Sequence, residues 1–422
     1  MIKETRLLLK NITYDDQKCL EKYIERGGFR GFRKVLELSP DQVIEHVKVS
    51  GLRGRGGAGF PTGLKWSFVP KNSGKPVYVV CNADESEPGT FKDRILMERD
   101  PFLLIEGILI ACYALGSKLA FIYIRGEYQY AYKVLLDAIK EANQSGYLGD
   151  NILGSGVSVN ITIHRGAGAY ICGEETALLN SLEGKKGYPR IKPPFPAVKG
   201  LYGCPTVINN VETLCALPVI FDMGAEEYAK LGTEKSKGTK LFSVSGIVCK
   251  PGVYEVELGV DLIGFINDVC GGIIENVTPK IVIPGGSSVP ALTWSECEGV
   301  KLDYESLQNA GTMLGSGGFM VFGDNVSALD LCLNFAKFYA HESCGQCTPC
   351  REGAKWLVDI LQKLKNKTAY PGDLERIQAI CSGIAGHTIC PFGDALVTPV
   401  ISLLKKFPDD FSIDYGVTSV SP

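Results

Sequence analysis

The chain has no marked excess of either charge. Its 44 Lys and Arg stand against 47 Asp and Glu over 422 residues, a formal net charge of −3. That excludes a broad basic footprint for nucleic acid. It also lacks an apolar run of membrane-spanning length, since the longest candidate, 102–115, is interrupted by Glu106. The first residues, Met1 to Arg6, lack the apolar stretch of a secretory leader. The fifteen cysteines do not pair off by count. Spread over so long a chain, they point to metal ligation plus buried thiols rather than to a disulfide framework. Cys81, Cys112, Cys172, Cys215 and Cys332 sit alone in apolar surroundings and read as small buried hydrophobes. The expectation is a soluble, intracellular protein with no direct membrane insertion. Its composition is ordinary for a globular protein, 45% apolar and 22% charged, and its length suits roughly two to four domains.

Glycine, by contrast, is concentrated. Six glycines fall between Gly51 and Gly63, in a stretch that continues to Trp66. Such a run leaves the backbone bare and tolerant of positive φ, so its N–H groups can approach a ligand closely. Pro61 suits the first position of a helix, and a helix N-terminus behind a bare loop is an anion site. Arg53, Arg55 and Lys65 add positive charge. The stretch reads as a cradle for a nucleotide phosphate. Gly54, Gly56 and Gly59 match G-x-G-x-x-G, but the dinucleotide fingerprint needs a strand before the loop. Here the preceding segment, 39–52, is helical, with Ser39 as N-cap and Pro40 at the first position.

From about 63 to 230, strands alternate with helices: strands at 77–81, 120–124 and 157–164, helices at 101–115 and 127–143. This pattern predicts an α/β unit with a mainly parallel sheet. Asp84, Glu85 and Glu87 follow the first strand, where open α/β sheets bind ligands. They suit ribose hydroxyls, and equally a solvated acidic turn. After the third strand comes a second glycine loop, Gly166 to Gly173, then Glu174 and Glu175 at the start of a helix over 176–182. Those glutamates could simply complement the helix dipole. Alternatively, Glu175 sits on a ribose, where it would repel a 2′-phosphate and favour NAD over NADP. The Pro-rich loop 189–196 contains Lys192 and Phe195 and could form a lid or an aromatic wall. Asn209, Asn210 and Thr213 open a further helix as caps. Residues 239–325 change character: strands at 241–248, 252–257 and 280–284, with a short helix near 262–270, suggest a small α+β module. From Asp330 to about 405 the pattern is all helical.

The strongest local signal is Cys344-Gly-Gln-Cys347-Thr-Pro-Cys350. Three thiols spaced by two residues wrap one metal centre, and a 4Fe–4S cluster needs a fourth from elsewhere. Cys390, followed by Pro391, is favoured over Cys381, which lies mid-helix. A zinc site using His341 or His387 is the alternative. A nucleotide cradle together with a one-electron cluster calls for a flavin, because a hydride carries two electrons and such a cluster accepts one.

The glycine loop 51–66, the Cys81-Asn-Ala-Asp-Glu-Ser-Glu-Pro-Gly-Thr90 turn, the Gly166–Thr176 loop and the cysteine run, in this order, resemble the NADH-binding, FMN-carrying subunit of respiratory complex I. The resemblance covers nearly the whole chain. It implies a Rossmann-like FMN/NADH domain (63–232) behind N-terminal helices and loops (1–62). A ubiquitin-like β-grasp domain of the SLBB type (239–325) and a helical bundle with a 4Fe–4S cluster (326–422) would follow. By the same resemblance, Gly54, Gly56, Gly57, Lys65, Asn82, Asp84, Glu85, Tyr170, Gly173, Glu174, Asn209, Asn210 and Thr213 would hold FMN. Glu85 would lie near the nicotinamide, and Glu85 and Lys65 would serve catalysis. Phe60, Phe68 and Phe195 would sandwich the adenine of NADH, with Glu87, Glu175 and Lys192 as polar contacts. Cys344, Cys347, Cys350 and Cys390 would bind the cluster. Pro391-Phe392 departs from the Ala-Leu that often follows the last cysteine. The implied partners are a thioredoxin-like 2Fe–2S subunit and a larger iron–sulfur subunit. The implied place is cytoplasmic, on the inner face of the cell membrane through the complex. Soluble NAD-reducing hydrogenases and formate dehydrogenases use the same module, and a non-catalytic iron–sulfur or zinc scaffold is the alternative of another class.

Overall fold

The computed structural model describes residues 1–71 and 73–412; Asn72 and residues 413–422, the end of the expected C-terminal segment, lie outside the described residues. Four strands form an all-parallel sheet: β1 (Tyr78–Ala83), β2 (Leu119–Ile124), β3 (Asn160–Arg165) and β4 (Thr206–Asn210), in the order β3-β2-β1-β4. The chain winds outward from β1 to β3, then crosses back to place β4 on the other side of β1. The direction of winding therefore reverses between β1 and β4, and the crevice at their carboxyl ends is where such sheets bind ligands. In register, Asn82 stands opposite Asn210 there. Strand β4 escapes the sequence reading because Asn209 and Asn210 look like helix caps. Asn210 is one, its side chain accepting from Glu212 N, while the residues before it run extended.

The apolar stretch without membrane length is the buried Pro101–Leu115 helix at the heart of this layer. Its Glu106, only 1% exposed, accepts hydrogen bonds from Phe29 N (2.7 Å), Phe32 N (2.9 Å) and the Tyr23 hydroxyl. Ser39 caps the Pro40–Val49 helix in a capping box with Gln42. The helix after the glycine loop is Thr62–Ser67; Pro61 is its N-cap, with ψ 121°, rather than its first helical residue.

A second, five-stranded sheet is mixed: β5 (Thr239–Gly246), β6 (Gly252–Glu257), β7 (Pro279–Ile283), β8 (Leu292–Thr293) and β9 (Gly318–Gly323), in the order β6-β5-β9-β7-β8. Its centre is the parallel pair β5–β9; β6 and β7 flank it antiparallel. The expected helix near 262–270 is a single turn, Leu262–Gly264, continued by a wider turn over Phe265–Val269. The C-terminal segment contains helices Ala328–Glu342, Thr348–Lys365, Asp373–Ile384 and Phe392–Lys406. They share one hydrophobic core with Ile171, Ala177, Leu178 and Leu179 of the parallel-sheet layer. That shared core brings the cysteines against the nucleotide side of the molecule.

Candidate functional site

The glycine loop is clamped at its ends and open at its tip. Gly54 N donates to Phe60 O (2.8 Å), Arg53 Nε to Gly59 O (2.6 Å), and the Tyr304 hydroxyl to Gly54 O (2.8 Å). Arg55 N donates to Thr213 Oγ1 (2.8 Å), and the buried Arg55 side chain reaches Lys237 O (2.6 Å) beneath the loop. Among the described residues, the amides of Gly56, Gly57 and Ala58 have no hydrogen-bond partner in the chain. Gly57 has φ +149°, and a Cβ placed there would meet nothing within 4 Å. On the other flank, a Cβ on Gly56 would press on Asn210 at 3.0 Å. Free amides around open space, flush against the sheet's reversal point, are what a phosphate cradle requires. The residues present fit a flavin nucleotide on that ground.

Around the cradle the predicted residues converge. Asn82 Nδ2 donates to Gly173 O (2.9 Å) and its Oδ1 accepts from Asp84 N (3.1 Å). Asn209 Oδ1 accepts from the buried Trp66 indole (3.0 Å), and Asn210 Nδ2 donates to Asp93 Oδ2 (2.6 Å). Burial raises the Asp84 carboxyl to about 7, against the pull of the Ser86 hydroxyl and Arg125. Glu85 is turned away. Its carboxylate accepts from Asp93 N (2.8 Å), Arg94 N (3.0 Å) and the Tyr128 hydroxyl (3.0 Å), so it caps the Asp93–Arg99 helix instead of facing the loop. The chain spends this carboxylate on the orphan amides of a helix start. Glu174 likewise caps the Glu175–Leu182 helix, accepting from Thr176 N and Ala177 N.

Beside the cradle runs an ion network. Lys65 Nζ meets Glu175 Oε2 at 3.0 Å and Ile208 O at 2.8 Å, while Lys192 Nζ meets Glu174 Oε1 at 2.9 Å and Glu175 Oε1 at 3.3 Å. Burial works against ionising Glu175, yet the two ammonium groups hold its carboxyl below the ordinary value. Three aromatic rings stand out from the surface nearby in sequence: Phe60 is 46% exposed, Phe68 51% and Phe195 57%. Phe60 and Phe68 already pair, with ring centroids 6.2 Å apart. Exposed rings of this size beside a charged network suit stacking on a flat ligand.

The cysteines meet around one small cavity, lined by Cys344, Cys347, Cys350 and Cys390 with Ile171, Ser343, Thr388, Phe392 and Gly393. Cys347 is the N-cap of the Thr348–Lys365 helix, and Cys390 precedes the Phe392–Lys406 helix, so two helix starts favour the negative charge of bound thiolates. Gly345, at φ +79°, turns the run, and Arg351 braces it through Gly345 O (2.9 Å). Cys381 is fully buried on the Asp373–Ile384 helix and does not line the cavity; His341 and His387 are exposed and do not line it either. Among the described residues, no three Cys, His, Asp or Glu side chains converge on a single-ion position. A tetrahedral zinc site needs such convergence, with sulfur about 2.3 Å from the metal. A cavity ringed by four thiols fits a cluster better than one ion.

One short turn, Tyr170–Gly173, joins the two halves. Its Gly173 carbonyl binds Asn82, its Ile171 lines the cysteine cavity, and its Tyr170 hydroxyl donates to Glu87 Oε2 (2.6 Å). The Tyr170 ring packs edge-on to Phe392, centroids 5.8 Å apart. Sequence reasoning overlooked Tyr304 and Lys240, which bond the loop at Gly54 O and Arg55 O, and Trp66, Glu212 and Lys92, which brace the groups around it. The only local signal was unusual: a Lys in the apolar run of β5 and a Glu in an apolar helix.

Comparison with known proteins agrees with this geometry. Residues 47–219 match the family described as the Nuo51 FMN-binding domain, and residues 330–413 match the NADH-ubiquinone oxidoreductase-F iron-sulfur binding region. The class is thus an NADH-oxidising flavoprotein with an iron–sulfur centre. The chain is 51% identical over 406 residues to the second F-type NADH-quinone oxidoreductase subunit of Rhizobium meliloti (strain 1021), covering 96% of each. It is 49% identical to the F-type subunit of the Streptomyces coelicolor NADH-quinone oxidoreductase, covering 94% of this chain and 88% of that one. It is 46% identical to the mitochondrial NADH dehydrogenase (ubiquinone) flavoprotein 1 of Dictyostelium discoideum, covering 96% and 85%. A solved structure of an NAD+-reducing NiFe-hydrogenase in the H2-reduced state is similar with TM-score 0.83 at 38% identity, covering 93% of this chain and 66% of that one. The chain belongs to the NuoF family, the F-type subunits of NADH-quinone oxidoreductase. Among the described residues, no helix is long and apolar enough to cross a membrane.

Proposed function

We propose that the chain oxidises NADH in the crevice between the glycine loop and the ends of β1 and β4, and passes electrons across the Tyr170–Gly173 turn to the cysteine cavity. The observation that carries this is the turn itself, which touches Asn82 on one side and lines the cavity through Ile171 on the other. Bound FMN supplies the chemistry, accepting a hydride and releasing electrons singly.

The chain's own residues bind and align. Gly54, Gly56 and Gly57 shape the cradle, whose free amides receive the phosphate, with Asn82, Asp84, Tyr170, Gly173, Asn209 and Asn210 around the cleft, and Thr213 serves the flavin site by holding the loop at Arg55 N. Lys65, Glu175 and Lys192 take the polar part of NADH, and Glu87 helps orient it. Phe60, Phe68 and Phe195 close on the adenine. Glu174 and Glu85 act through the helices they cap. Cys344, Cys347, Cys350 and Cys390 hold a 4Fe–4S cluster. Phe392 and Ile171 screen that centre from water, and a dry shell tunes potential.

The 239–325 segment is a ubiquitin-like β-grasp of the SLBB type. Supporting this, its strands taken in chain order as first to fifth lie side by side as second, first, fifth, third, fourth, with first and fifth parallel. The remaining segments, 1–62, 63–232 and 326–422, form the leading helices, the Rossmann-like domain and the cluster bundle. The partners are a thioredoxin-like 2Fe–2S subunit and a larger iron–sulfur subunit, and the assembly sits on the inner face of the cell membrane. The hydrogenase likeness supports a second reading, the diaphorase subunit of a soluble hydrogenase; the subunits that co-purify with the chain separate the two.

The test is NADH:ferricyanide reductase activity of the full chain loaded with FMN and iron–sulfur cluster. Turnover that collapses when FMN is removed supports the proposal. A folded, flavin-saturated, cluster-loaded sample without turnover overturns it.

A further inference from the structure

Beneath the glycine loop lies a buried set of charges that the reaction does not use. Glu212 is wholly buried, and its carboxylate takes Lys92 Nζ (2.7 Å), Lys240 Nζ (3.0 Å) and Leu241 N (2.8 Å). Lys92 also holds Asp93 (2.7 Å), which receives Asn210. Lys240 comes from β5, outside the 47–219 stretch matched by the FMN-binding family. Its side chain is 0% exposed. It shares its N–H groups among Glu212, Ser316 O (3.0 Å), Leu241 O (3.3 Å) and Arg55 O (3.3 Å).

A buried ammonium is an expensive way to join two layers, since its desolvation offsets most of the attraction and apolar residues of similar volume serve as well or better. What an ammonium adds is a fixed donor at a chosen carbonyl. Here that carbonyl belongs to Arg55, whose own N–H is bonded to Thr213 Oγ1. Arg55 is therefore gripped at both its N–H and its carbonyl, by the Val211–Met223 helix on one side and by the second sheet on the other. The next three amides along the chain are the unpartnered ones at the loop tip.

We propose that Lys240 is a positioning residue for the flavin phosphate: from the second sheet it holds the Arg55 carbonyl and so aims the amides of Gly56, Gly57 and Ala58. The five-stranded segment is then part of the flavin site, and FMN binding is coupled to it. The proposal rests on reading the loop as the FMN cradle.

The experiment titrates FMN into the flavin-free full chain and follows quenching of flavin fluorescence. Lys240→Met combined with Glu212→Gln removes one charge of each sign. It is expected to fold and to weaken FMN about ten- to a hundredfold, the range for losing a charge-assisted hydrogen bond. Glu106→Gln, equally buried and remote from the loop, lowers melting temperature and leaves FMN affinity unchanged. Unchanged affinity in the double variant overturns the proposal, and so does an equal loss in Glu106→Gln. If the unaltered chain does not bind FMN, the reading of the loop itself falls instead. Should the double variant fail to fold, hydrogen exchange on the unaltered chain decides. Adding FMN should slow the amides of 239–243 as well as those of 53–60, and slowing confined to 53–60 overturns the coupling.

Discussion

The cysteine centre and the nucleotide crevice are built in opposite ways. Three of the four thiols come from one turn, Cys344 to Cys350, and nothing in the chain competes strongly for them. The crevice draws on the ends of β1 and β4, two glycine loops and a Pro-rich loop, and its side chains are already satisfied by one another. Lys65 holds Glu175, Lys192 holds Glu174, and Asn210 holds Asp93. A ligand there must exchange partners within an existing network, whereas a cluster adds bonds where few exist. The first site should respond to single changes by all-or-none loss. The second should respond by degrees.

The sharpest way to break that contrast is at the cluster. Cys347→Ser is expected to remove nearly all cluster absorbance and electron paramagnetic signal while FMN affinity changes less than about threefold, and Cys381→Ser should retain both signals. Partial cluster retention in Cys347→Ser would mean that the cavity is as redundant as the crevice. Next in size is Lys65→Ala, which leaves Glu175 with Lys192 alone. Loss of one partner of a partly buried pair predicts a fall of about a hundredfold in kcat/KM for NADH. A fall below about threefold would show that Lys65 serves the fold only. Phe195→Ala removes a stacking face that binds ground and transition states alike, so KM for NADH should rise about tenfold with kcat unchanged in steady-state assays; a drop in kcat with constant KM would contradict that role.

The smallest effect concerns pH. Glu175 is held below its ordinary value of 4.5, although burial opposes this, because Lys65 and Lys192 face it. A carboxylate lowered in the folded state contributes stability above its unfolded value and loses it as pH falls through the folded one. Glu175→Gln should therefore melt about 2–4 °C below the unaltered chain at pH 7, a gap expected for roughly 1 kcal/mol. The gap should close as pH drops below about 4.5. A gap independent of pH in calorimetry would mean the network is steric, not electrostatic.

Much of this was legible in the residues alone. The Ser39 cap, the 101–115 helix and the placing of Cys381 in a helix core each follow from local rules of capping and of apolar pattern. Other features were hidden because their cause is distant in sequence. Thr206–Asn210 extends as a strand since β1 offers it a parallel edge, yet its polar end resembles a helix start. Glu85 looked like a ligand from its place after a strand, but the amides of Asp93 and Arg94 claim it eight and nine residues later.

By itself, then, the sequence determined the inventory: a bare cationic loop, acidic turns, a cysteine run with one remote partner, and the family they belong to. Tertiary structure alone decided which groups are free to act. Side chains with similar chemistry were sorted into caps, clamps and open contacts by what the fold set against them. Buried polar atoms are mostly paired; among the described residues the amides of Gly56, Gly57 and Ala58 at the loop tip have no partner, and the cavity thiols meet only weak ones, Ser343 Oγ at Cys350 and Ile389 N at Cys347, so these are the groups that the fold has kept for ligands.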